Sequence, residues 1–236
     1  MEATVAVRNI IRPWLAVAPT WTGFYVGGNV GSGWGQNDTT LFAPPLLLNA
    51  GAIPLASQGE RGLLGGIQAG YNYQWGPIVL GIEGNADWMN LKGTTQCTIL
   101  GASFACAATI QRIEDLGARI GFAVDKSLLY VRSGAAWAET NFTMSAGSAN
   151  TSPLSVSTPI PRFGAFLGAG IEYAFLPNWS AKLEYDFYDF GSKTSSIPFS
   201  FVFVGIPINT AGSLNSDLTA QTIKFGVNYR FNPWGL

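Results

Sequence analysis

At 236 residues the chain accommodates one large or two small domains, and 13 Lys+Arg against 14 Asp+Glu leave a formal net charge of −1. Charged residues make up only 11%, against roughly 25% in soluble proteins, and no uncharged apolar stretch reaches the ~18 residues of a spanning helix. With no Lys/Arg run and no histidine, the chain excludes an electrostatic nucleic-acid footprint, His-based acid/base catalysis, Ser-His-Asp triads and His-containing metal sites.

Residues 1–20 read as an N-terminal periplasmic linker. Glu2 stands where a secretory signal carries Lys or Arg, and Ala16-Val17-Ala18, which resembles a cleavage tripeptide, runs into Pro19. From residue 21 to 236, eight segments alternate apolar with polar or very small residues. Successive strand residues point to opposite faces, so this period of two sorts side chains between two environments. The first strand, about Thr22 to Trp34, sets Phe24, Val26 and Val30 against Tyr25, Gly27 and Asn29. The second alternates Leu63, Ile67, Tyr71 and Trp75 with Gly66, Gln68 and Asn72 before Gly76-Pro77 turns the chain. The third sets Leu80, Ile82 and Trp88 against Glu83, Asn85 and Asp87, and the fourth Leu116, Ile120 and Phe122 against Asp115 and Arg119. A turn at Asp125-Lys126-Ser127 leads to the fifth, where Leu129, Val131 and Trp137 oppose Tyr130 and Arg132. The sixth carries Leu167, Ile171 and Tyr173 against Gly168, Gly170 and Glu172. After Pro177-Asn178, the seventh sets Trp179, Leu183 and Phe187 against Ser180, Lys182, Glu184, Asp186 and Tyr188. The eighth sets Ile223, Phe225 and Phe231 against Lys224, Asn228 and Arg230.

Long connections near 35–61, 92–108, 141–161 and 188–217 alternate with three short turns. The pattern predicts an all-β fold: an eight-stranded antiparallel up-and-down transmembrane β-barrel with four long extracellular loops and both termini periplasmic. Trp34, Trp88 and Trp137 at one strand end, and Trp21, Trp75 and Trp179 at the other, predict two interfacial aromatic belts.

The predicted inward face carries six acids (Glu83, Asp87, Asp115, Glu172, Glu184, Asp186) and five bases (Arg119, Arg132, Lys182, Lys224, Arg230). Unpaired buried charge is costly, so near balance predicts a paired network filling a lumen that, with eight strands, has room only for its side chains or one small ligand. Glu184 and Asp186 share a face with Lys182, which makes a charge ladder rather than an acid/base pair. Gly27/Gly31, Gly66/Gly70, Gly117/Gly121 and Gly164/Gly168 lie on that face and make room for large neighbours. Cys97 and Cys106 enclose eight residues and read as a loop-stapling disulfide. The segments Leu41–Leu48 and Phe199–Ile208 are unusually apolar for loops; they are either a contact surface or hairpin extensions of the barrel.

Several strands resemble a known family. Trp21-Thr22-Gly23-Phe24-Tyr25-Val26-Gly27-Gly28-Asn29, Leu80-Gly81-Ile82-Glu83-Gly84 and Gly168-Ala169-Gly170-Ile171-Glu172-Tyr173 are similar to strands of the outer-membrane immunogenic proteins of alphaproteobacteria. So are Trp179-Ser180-Ala181-Lys182-Leu183-Glu184-Tyr185 and Phe225-Gly226-Val227-Asn228-Tyr229-Arg230-Phe231. These are small OmpA-like barrels of the "porin family" in Gram-negative envelopes. The resemblance implies a surface antigen with structural and host-contact roles, and haem binding in some members. Without histidine, an axial haem ligand would have to be Tyr, Met or Cys, so no cofactor is expected. The expected function is therefore a structural outer-membrane barrel without an open pore, not an enzyme. A narrow channel, a haem-binding or adhesin surface protein, or a lipid-modifying barrel enzyme are the alternatives. Expected partners are outer-membrane lipid and lipopolysaccharide, plus a membrane-protein partner or a homo-oligomer through the apolar loops.

Overall fold

The computed structural model describes residues 20–42, 52–99, 102–146, 154–203 and 206–231. Eight strands follow one another: β1 Gly23–Phe42, β2 Ala52–Trp75, β3 Ile78–Ile99, β4 Ala102–Val124, β5 Ser127–Ala146, β6 Leu154–Ala174, β7 Trp179–Phe203 and β8 Ile206–Phe231. Every neighbour pairs antiparallel, and β8 closes on β1 from Phe24↔Phe231 to Phe42↔Ser213, giving a closed barrel. Closure removes both sheet edges, which is the condition for strands to cross lipid. The turns at one end are tight: Gly76 (φ 58°) and Asp125 (φ 50°) supply the left-handed residues they need.

The outer face carries the apolar series foreseen by the alternation. Phe24, Val30, Leu63, Ile67, Leu80, Ile82, Leu116, Ile120, Leu167, Leu183 and Phe225 are all exposed. This band ends where Gln36, Arg61, Lys92, Arg112 and Glu139 take over the outward positions. It leaves roughly the 9–11 residues per strand that a tilted membrane strand needs. Trp88 and Trp137 mark its rim at the long-hairpin end, Trp75 and Trp179 at the short-turn end. Trp21 corrects the two-belt expectation. It is fully buried and turns into the barrel mouth, where the Arg230 guanidinium lies 4.5 Å over its ring.

The strands, of 20 to 26 residues, run far beyond the predicted boundaries. What the sequence suggests as four long loops is mostly strand: β3 and β4 pair up to Ile99↔Ala102, and β7 and β8 up to Phe203↔Ile206. Just above the lipid band the inward residues are still buried but polar, as at Asn37, Glu60, Thr140, Arg162 and Ser216, so the apolar/polar alternation that marks a strand fades.

Two ladders stop early. β2–β3 pairing ends at Arg61↔Lys92 and β6–β7 pairing at Ala165↔Asp189. The other six pairings continue well beyond the lipid band. Beyond the rim the barrel therefore divides into two four-stranded sheets, β7-β8-β1-β2 and β3-β4-β5-β6, with a seam on each side. Three of the four strands bordering the seams carry proline beyond the rim: Pro54 on β2, Pro159 and Pro161 on β6, Pro198 on β7. Proline has no N–H to give a ladder and is tolerated at such edges. On β7 a bulge between Asp189 and Ser192, with Gly191 at φ 57°, marks the point of separation.

Candidate functional site: the lumen and its rim

Within the lipid band the inward face is packed. Ten of the eleven predicted charges form one connected cluster. Arg119 donates to Glu83 (3.1 Å) and Glu172 (2.8 Å). Arg132 reaches Asp115, Glu184 (3.0 Å) and, at 3.5 Å, Glu83. Lys182 joins Glu83 (2.9 Å) to Glu184 (3.2 Å), and Lys224 joins Asp87 (3.1 Å) to Asp186 (2.7 Å). All ten are 3% exposed or less. Arg230 stands apart at the short-turn end, donating to the Thr20 carbonyl beside Trp21.

Neutral side chains complete the cluster. The hydroxyls of Tyr25, Tyr130 and Tyr188 donate to Glu83, Glu184 and Asp115 at 2.5, 2.6 and 3.0 Å. Ser180 and Asn228 donate to Glu172, Asn85 to Asp115, and Asn29 to Asp87. Buried ions are tolerated when paired and hydrogen-bonded in this way. The lumen glycines admit the tyrosines. A Cβ on Gly70 would stand 2.6 Å from the Tyr25 ring, and one on Gly170 2.6 Å from that of Tyr130. Glu184 and Asp186 are held by Lys182, Lys224 and Arg132 on the lumen side of β7.

Two apolar layers bound this cluster, and sequence reasoning missed both. On the long-hairpin side lie Leu64, Met89, Leu91, Ile110, Ile113, Phe166, Tyr188, Phe190 and Leu218. Phe190 stacks on Tyr188 (6.1 Å between centroids, 3° between planes), and the Arg132 guanidinium lies 4.5 Å over Phe166. On the short-turn side Trp21, Val79, Leu128, Tyr130 and Ala174 close the barrel. The available signal was apolar residues on the otherwise polar parity, such as Leu64, Met89 and Leu91, grouped at one level of neighbouring strands.

Above the upper layer a second polar group lies inside the barrel. Arg162 donates to the Ser216 carbonyl (2.8 Å) and hydroxyl (2.6 Å), and Ser216 donates to Asn37 (2.6 Å). Nearby Glu60 is 1% exposed, and none of its ion pairs appears among the described residues. Burial raises its pKa to about 7 despite the opposing influence of Asn37 and Arg162. Arg162, for the same reason of burial, is lowered.

The cysteine side chains, residues 1–19 and most of Leu41–Leu48 lie outside the described residues, as do the side chains of Phe199–Phe203. The backbone register nonetheless bears on the predicted disulfide. Cys97 stands opposite Phe104 and Cys106 opposite Thr95, which makes the two cysteines diagonal neighbours. Such positions lie ~7–8 Å apart, beyond the 4.4–6.8 Å Cα separation usual for a disulfide. The pairing gets no support from this register.

Residues 15–231 match the family described as "Outer membrane protein beta-barrel domain". This chain belongs to the outer-membrane β-barrel family. Among this barrel's relatives is the 31 kDa outer-membrane immunogenic protein of Brucella melitensis, 28% identical, with 98% of this chain and 93% of the relative covered. The 25 kDa outer-membrane immunogenic protein of Brucella abortus is 24% identical, over 91% of this chain and 82% of its own. In fold the barrel is similar to the outer membrane protease OmpT of Escherichia coli (TM-score 0.55, 9% identity, 91% and 99% covered). It is also similar to OprG of Pseudomonas aeruginosa (TM-score 0.52, 12% identity, 91% and 99% covered). These two likenesses concern the fold alone.

Proposed function

We propose that this outer-membrane barrel is a sealed, non-catalytic structural protein with both termini in the periplasm and the two-sheet extension presented at the cell surface for contact. The observation that carries this reading is the lumen. A buried ion-pair cluster lies between two apolar layers, so an ion that passes the polar groups at either mouth still meets a dry barrier before it reaches the cluster. That favours a structural role over the narrow-channel alternative. The strand extensions add a surface that a purely membrane-embedded barrel would lack, and the relatives' description as immunogenic fits exposure there. The apolar Phe199–Phe203 stretch, paired as a hairpin with β8, is the segment best suited to a protein partner or a second copy. Removal of the protein from its native membrane tests the reading. Loss of a structural barrel should sensitise the envelope to detergent while leaving uptake of small solutes unchanged. Slower solute uptake with an intact envelope would overturn it.

A further inference from the structure

The last rung of the β2–β3 ladder places Arg61 directly opposite Lys92, both exposed on the outer face. Like charges in register across a strand pair repel. Neither residue forms an ion pair among the described residues, and the sequence from 41 to 59 and from 93 to 113 contains no Asp or Glu. The nearest acids are Glu60, buried beside Arg61, and Asp38 on β1, which accepts from the Gln36 amide (3.4 Å); neither forms an ion pair with Arg61 or Lys92 among the described residues. Arg112 on the adjacent strand makes the contrast, since it is paired with Glu114 (3.4 Å) and Glu139 (2.9 Å).

The height of this pair is informative. One outward position below Arg61 is Leu63, 77% exposed, and two below Lys92 is Trp88, 52% exposed. The cations therefore stand where the hydrocarbon band gives way to head groups. Beside Arg61 a pocket of about 300 Å³ is lined by Trp34, Gln36, Glu60 and Gln221, with Gly35 and the exposed Gly59. Just above, the β2–β3 ladder has ended, so hydrogen-bonding groups of both strand edges face the seam. An indole, two amides, a carboxyl and a guanidinium around a pocket of that size suit a sugar, whose hydroxyls both donate and accept, and two cations without ion pairs on the outer face suit a phosphate.

We propose that Arg61 and Lys92 clamp a phosphate of an outer-leaflet glycolipid, whose adjoining sugar occupies the Trp34–Gln36–Gln221 pocket. The assignment of leaflet rests on the orientation proposed above. Protease cleavage of the 146–154 connection on whole cells reports that orientation separately, so an inverted barrel and a missing lipid site are distinguishable. The test titrates folded protein in detergent with purified lipopolysaccharide, with the same material after enzymatic removal of its phosphates, and with inorganic phosphate. Native mass spectrometry reads the bound fraction, and heat-shifted gel mobility confirms that each variant is folded. Arg61→Ala with Lys92→Ala should weaken lipopolysaccharide binding by about tenfold or more, as expected for lost charge-assisted hydrogen bonds. Arg61→Lys with Lys92→Arg should retain most binding, and Arg112→Ala should leave it unchanged. Wild-type affinity in the double alanine variant, or equal binding of the dephosphorylated lipid, overturns the proposal. So does inorganic phosphate binding as tightly as the lipid, which would assign a free-anion site.

Discussion

Replacing Glu60 with glutamine should make the upper part of the barrel more stable at neutral and alkaline pH and remove a pH dependence. Glu60 is buried above the apolar layer, and burial moves its pKa from about 4.5 to about 7. The folded protein therefore keeps a proton that the unfolded chain has already released. Stability is full below pH about 4.5, declines as the pH rises towards about 7, and is flat above. At ~1.4 kcal/mol per tenfold change in the proton equilibrium, the loss amounts to about 3 kcal/mol. Glutamine mimics the protonated carboxyl without ionising. Glu60→Gln should match the wild type at acidic pH and exceed it by up to about 3 kcal/mol at alkaline pH. Urea titration in lipid vesicles, followed by tryptophan fluorescence, measures the global effect. Hydrogen exchange of residues 56–64 measures it locally if the extension opens by itself. Parallel pH profiles for the two proteins by both methods would refute the reasoning.

Four further outcomes are expected. Leu183→Arg, on the exposed lipid face, should cost about 2–4 kcal/mol if it lies near the bilayer midplane, as read by the same urea titration; an unchanged midpoint would contradict the face assignment. Arg132→Met should cost about 3–5 kcal/mol, because Asp115, Glu184 and Glu83 would lose a shared buried partner; a fully stable variant would mean that the cluster is not tightly coupled. Gly170→Ala should cost about 1–3 kcal/mol through collision with Tyr130, and Tyr130→Phe should not relieve it, since the ring itself is met. Cys97 and Cys106 should alkylate separately under non-reducing conditions; a cross-linked peptide would mean that the β3–β4 hairpin is two residues out of the observed register.

The lipid-band half of the barrel was legible because each residue there has a sharp choice between hydrocarbon and lumen. Phe24, Ile82 and Leu183 fall outside and Glu83, Arg119 and Lys182 inside, as simple alternation requires. The distal half was illegible for the converse reason, since stretches such as Gly93-Thr94-Thr95-Gln96 carry no apolar side chain on either parity and read as a loop in the sequence. Bulges hid more. The register shift between Ile110 and Arg112 reverses parity on β4, so Ile110 and Ile113 both point into the upper apolar layer. The eleven charges could be sorted by face, but not their partners, because pairs such as Lys182–Glu83 span the lumen between distant strands. The two seams have no local signature beyond the prolines near them.

Single-channel recording across a planar bilayer tests the sealed lumen most directly. Purified protein, shown to be folded by its heat-shifted mobility, should insert without producing conductance steps in molar potassium chloride at any applied voltage the bilayer withstands. Reproducible unitary steps that disappear on heat denaturation would contradict the sealed barrel.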